Sequence, residues 1–157
     1  RHLMLRARPG SWFSWKFNIL DENDQIIAGI DIRWMREAGE LHLGGRSYRL
    51  FREGLFGGAF ILEEDGMELA RAEKPSSLFR SFTVTAKGRA YRLHAASPVG
   101  RTFILSENDR TIGVIRPENA FTRKAVIDLP EEIALPVKIF MAWLVFVLWK
   151  RDEESSS

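Results

Sequence analysis

Arg80 and Arg123 lie 43 residues apart, Arg36 stands one position out of the same step, and Lys124 adjoins Arg123. A guanidinium presents a rigid fork of donors that matches a phosphate, and a lysine ammonium adds a point charge. If folding gathers these four cations at one end of the molecule, they form a site for anions such as lipid head-group phosphates; the competing reading is solvated loop charges. A second cluster is acidic: Asp21, Glu22, Asp24, Glu64, Asp65, Glu107 and Asp109. Calcium needs several oxygens, but none of these runs has the spacing of a calcium loop, and turns of hairpins call for the same residue types. His42 and His94 each follow a leucine, so on a strand they face away from the apolar side, and no nucleophile or carboxylate stands at a recognisable catalytic spacing. "KGRAYRLH" has the glycine and tyrosine of an RNA-binding strand, but Arg89 replaces an aromatic and the amphipathic helices of that fold are absent. G-x-S-x-G, Walker A and G-x-G-x-x-G are also absent. The residues therefore read as non-enzymatic, with no cofactor, no metal and no nucleic acid.

What must position these residues follows from the rest of the chain. It has 157 residues, 45% hydrophobic and 28% charged, with a formal charge of +2 and no cysteine. That is the size and balance of a single domain over 1–157 with a core of its own, and it excludes a disulfide framework or thiolate metal site. Met4 has the look of an initiator, which makes residues 1–3 an expression remnant, and 152–157 a polar tail expected to fray. With no signal-peptide pattern at the start, the expected compartment is the cytoplasm.

The elements come in repeats. "FNILDEND", "FILEEDGM" and "FILSENDR" begin at Phe17, Phe60 and Phe103, and "GRSYRL" recurs as "GRAYRL", always 43 residues on. Apolar residues alternate at Ile26, Ala28, Ile30, Ile32 and Trp34, at Phe82, Val84 and Ala86, and at Tyr91, Leu93 and Ala95, the period of a half-buried strand. Short Asp-, Asn- and Gly-rich clusters between them predict hairpins, two per repeat, and so about twelve antiparallel strands. A barrel of that width needs a plug. "KIFMAWLVFVLWK" (Lys138 to Lys150) is apolar on every face of a helix, which suits either a membrane anchor or a segment buried on all sides. Extended back to Ile133 it rises about 25 Å, short of the roughly 30 Å of a bilayer core, which favours a buried helix with Ile139, Phe140, Trp143, Phe146, Val147 and Trp149 in its packing. Truncation after Leu135 is then expected to abolish cooperative folding.

The stretch "IGVIRPENAFTRKAVIDLPEEIALPVKIFMAWLVFVLWKRD", preceded by repeated F-x-I-L hairpins, resembles the C-terminal half of the tubby-like superfamily of tubby C-terminal domains, phospholipid scramblases and LURP-one-related proteins. The resemblance implies a twelve-strand barrel around a hydrophobic C-terminal helix. Functionally it implies a cytoplasmic module, peripheral at the membrane, docking on anionic phospholipid head groups. A scramblase-like cysteine cluster and proline-rich leader are missing, and no head-group residue of tubby domains is carried over by position. Two alternatives stand beside it: an interaction scaffold with a protein partner, and a tail-anchored protein with a scramblase-like role. The chain is expected to be a monomer.

Overall fold

The structure, a computed structural model, describes residues 2–10, 15–31, 38–54, 58–74 and 80–155. Twelve strands follow in order: β1 (His2–Pro9), β2 (Lys16–Leu20), β3 (Ile26–Asp31), β4 (Gly39–Leu43), β5 (Arg46–Arg52), β6 (Phe60–Glu64), β7 (Met67–Glu73), β8 (Ser81–Ala86), β9 (Arg89–Ala95), β10 (Phe103–Glu107), β11 (Arg110–Pro117) and β12 (Ala125–Pro130). Each pairs antiparallel with its neighbours in sequence, and β1 closes the barrel on β12 with Ala7 opposite Ala125. The helix α1 (Leu135–Ser155) follows. This is the closed antiparallel barrel around a C-terminal helix that the patterning predicts.

The two ends of the barrel differ. At one, tight turns at Gly44–Gly45, Asp65–Gly66, Lys87–Gly88 and Asn108–Asp109 join successive strands, and every one of these residues has a positive φ, between 50° and 80°. Paired positive φ values give the hairpin twist that matches the strands, which is why Gly, Asn and Asp gather there. The acidic clusters are thus hairpin chemistry. Asp21 accepts backbone N–H bonds from Asn23 and Gln25, and Glu64 and Glu107 receive two-pronged bonds from Arg46 and Arg89 at 2.6–2.8 Å. Register irregularities interrupt β2, β6 and β10 at Ile19/Leu20, Leu62/Glu63 and Leu105/Ser106. The opposite end carries the longer connections, and four are pinned at the neck by a backbone bond: Gly10 to Lys16, Glu53 to Ala59, Ala96 to Thr102 and Glu118 to Lys124, at 2.8–2.9 Å.

The helix enters at the turn end and leaves at the loop end. It begins at Leu135, with Pro136 in the first turn, where an N–H would have no partner in the helix. Every residue from Val137 to Lys150 is buried, Ile139, Phe140, Trp143, Phe146, Val147 and Trp149 among them. Room for these large side chains comes from small inward residues on the strands, Ala7, Ala28, Ala70, Ala72, Ala86 and Ala125, interleaved with phenylalanines. Phe17 stacks on Phe146 with centroids 4.3 Å apart, and Phe60 meets Trp143 edge-on at 5.6 Å. The apolar run is therefore the plug of the barrel. No helix among the described residues is long and apolar enough to cross a membrane.

Two expectations need adjustment. The helix runs on to Ser155, through part of the segment expected to fray. Ile26 is exposed, because the bulge at Ile19/Leu20 breaks the pairing before the strand end and turns it outward, while Ala28 and Ile30 keep the inward face. Ile32 and Trp34, read as a continuation of that alternation, lie outside the described residues.

Candidate functional site

Strand alternation and the direction of α1 bring a set of cations to the loop end. Arg80 stands just before β8, Arg101 before β10, and Arg123 with Lys124 before β12; Arg8 comes from the end of β1. Arg36 lies outside the described residues. Arg80 and Arg123 thus share one rim with Lys124, but both have partners there. Arg80 donates to the carbonyls of Gly100 (2.8 Å), Ser97 (3.1 Å) and Pro98 (3.4 Å) and to the Asp152 carboxylate (3.2 Å). Arg123 donates to Glu153 at 3.0 Å and lies over the Trp15 ring, 4.4 Å from its centroid. Two of the four candidates are therefore braces between the rim and the last turn of α1 before they are anything else. A guanidinium carries several donors in a fixed fork, so one side chain can tie a connection and the helix end together.

Arg101 is a residue that the 43-residue step passes over. It donates to the carbonyls of Thr122 (2.5 Å), Ala120 (2.9 Å) and Asn119 (3.2 Å), and its guanidinium covers the Trp149 ring. Trp149 returns a hydrogen bond from Nε1 to the Arg101 carbonyl at 3.0 Å. Burial lowers the Arg101 pKa from its ordinary value, with Glu153 acting in the opposite direction, and a guanidinium so shifted is still a cation at neutral pH. Arg80, Arg101 and Arg123 follow one another at 21 and 22 residues, the length of one hairpin, so the half-step of the repeat would have exposed Arg101 as the third member.

Beside Arg101 and Arg123 lies a cleft of about 680 Å³. Its cations are Arg8, Arg101, Arg123 and Lys124, its carboxylates Asp152 and Glu153, and Phe121 and Trp149 give it apolar walls. Arg8 and Lys124 are exposed, with no ion-pair partner among the described residues. Phe121 is 94% exposed, and Val99 on the neighbouring connection is 79% exposed. A phenylalanine so fully in water lies outside any core argument, and the sequence alone gives no sign of it, because "ENAFTRK" looks like an ordinary loop.

The histidines stand elsewhere. Cross-strand pairing of His42 with Ser47 brings Nδ1 to 3.1 Å from the hydroxyl, and Nε2 lies 3.7 Å from Glu40. A search along the chain for a nearby nucleophile and acid misses this, because the register and not the spacing sets it. All three groups are on the exposed wall of β4 and β5. His94 is half-buried and lies 3.3 Å from the Ser106 hydroxyl.

No family model, curated protein or solved structure matches the chain.

Proposed function

We propose that this barrel is a non-enzymatic module of the tubby-like type that docks by its loop end on anionic phospholipid surfaces. The reading is carried by one observation: the fully solvated Phe121 stands in the same cleft rim as Arg8 and Lys124, cations without an ion-pair partner among the described residues. An aromatic ring so exposed gains by entering the head-group layer, and each cation near an anionic leaflet adds about 1 kcal/mol. Val99 extends the apolar tip along the same end. The attraction is electrostatic in reach, so it falls away as the Debye length shrinks below about 10 Å at 0.1 M salt and above.

Flotation with phosphatidylcholine vesicles, with and without phosphatidylserine, tests this directly. The chain is expected to float only with the anionic vesicles and to be released by salt, and both Phe121→Ser and the double variant Arg8→Glu/Lys124→Glu are expected to stay at the bottom. Equal flotation with neutral vesicles, or variants that float like the parent, would overturn the reading.

A further inference from the structure

The cleft on which that reading rests is already partly filled by the chain itself. Two of its lining groups, Asp152 and Glu153, are carboxylates from the last turn of α1, and they hold Arg80 and Arg123 at 3.2 and 3.0 Å. Their place in the helix is unfavourable. The C-terminal end of a helix carries the negative pole of its dipole, where cations are stabilised and carboxylates are not, yet Asp152, Glu153 and Glu154 follow one another there. Glu154 is compensated within the helix by Lys150 at 3.0 Å. Asp152 and Glu153 are compensated from the barrel rim, so the last turn depends on the rim cations for its order.

Arg80 would keep its shape without Asp152, because three loop carbonyls still accept its donors. Arg123 would likewise remain over the Trp15 ring. A carboxylate and a phosphate oxygen are interchangeable partners for such a guanidinium. Exchange of one for the other therefore needs no movement of the rim, only release of the helix end.

We propose that the last turn of α1 is an internal competitor for the anion site: Asp152 and Glu153 occupy the Arg80 and Arg123 guanidinium groups in the free protein, and docking exchanges them for lipid phosphates. The proposal rests on the docking reading above and adds its control: the resting chain binds anionic surfaces below its full strength, and the helix end reports the bound state.

The test compares the full chain, Asp152→Asn/Glu153→Gln, and Glu22→Gln/Glu131→Gln, which removes the same charge from the turn end. Each is floated with vesicles containing phosphatidylserine, and amide exchange of residues 151–155 in the unaltered chain is followed with and without those vesicles. The helix-end variant is expected to bind roughly tenfold more tightly, about 1.4 kcal/mol, with the turn-end variant changed less than twofold, and the amides of 151–155 to lose protection on anionic vesicles. If both variants gain equally, or the parent floats with the protection of 151–155 unchanged, the competitor is overturned and docking stands. If neither the parent nor the helix-end variant floats, both fall. The exchange arm uses the unaltered chain, so it holds even if a variant folds poorly.

Discussion

The Phe17–Phe146 contact offers the sharpest check that the apolar run serves as the plug of this barrel. The rings are stacked, 18° between planes with centroids 4.3 Å apart, and they join β2 to the middle of α1 across 129 residues of chain (146 less 17). Both are buried, so replacement by leucine removes a well-packed ring while keeping most of the apolar volume; about 1 to 2 kcal/mol is expected for each. The sum remains inside the roughly 5 to 15 kcal/mol that keeps a domain folded, so all four members of a double-mutant cycle should be measurable. Stacked pairs contribute about 0.5 to 1.5 kcal/mol beyond their area, and the double variant should be less destabilised than the sum of the singles by that amount. Urea unfolding at 25 °C, followed by near-UV dichroism, reads the coupling, and each single change should lower Tm by about 2 to 4 °C per kcal/mol. Phe82→Leu, a ring that meets Phe60 edge-on at 5.6 Å, serves as the uncoupled comparison. Singles that leave stability untouched, or a cycle additive to within about 0.3 kcal/mol, would refute the placement of the helix inside the barrel.

Two further outcomes follow from the core. Lys138 is 3% exposed, and burial lowers its pKa although Glu131 and Glu132 favour the charge. Because the folded value lies below the unfolded one near 10.4, the unfolded chain holds more protons between the two, and stability contributed by this group rises with pH across that interval and levels off above it. Lys138→Met should therefore be more stable than the parent at pH 7, by about 2 to 4 °C in Tm for each kcal/mol recovered, and the advantage should shrink toward pH 10.5; a constant or widening gap would refute it. Gly113→Ala would place a Cβ 2.7 Å from the Asp128 carbonyl oxygen and 2.8 Å from Leu129 Cδ2, whereas Gly29→Ala meets nothing nearer than 4.0 Å. Thermal melts should show a loss of about 1 to 3 kcal/mol for the first and little change for the second, and equal effects would argue against the close approach of β11 and β12.

How far the chain could be read without coordinates depended on the kind of order involved. Strands and turns were legible because they are local. Phe82, Val84 and Ala86 alternate by the pleat, and Asp65–Gly66 and Asn108–Asp109 are types that tolerate the positive φ each turn requires. The plug was legible because a segment apolar on all faces has so few places to go. Ile26 was misplaced for the opposite reason: a bulge moves a residue across the sheet without leaving a mark in composition.

The rim shows a harder limit. Arg80 and Arg123 were singled out by their shared step, and they do stand on the same end of the barrel, but the step says nothing about what their donors do. Ser97, Pro98, Gly100, Asn119, Ala120 and Thr122 offer carbonyls that only a folded connection brings to a guanidinium, and Arg80 and Arg101 donate to them. The cations nearest to the solvent, Arg8 and Lys124, belong to positions with less distinctive spacing. A rule follows for barrels of this construction. Arginines placed at strand entries are first of all closures for the loops and for the helix that leaves between them, and an anion can be bound only by what that closure leaves over or by what it can exchange. In this chain the remainder is Arg8 and Lys124 beside Phe121, and the exchangeable part is the pair of carboxylates at 152 and 153.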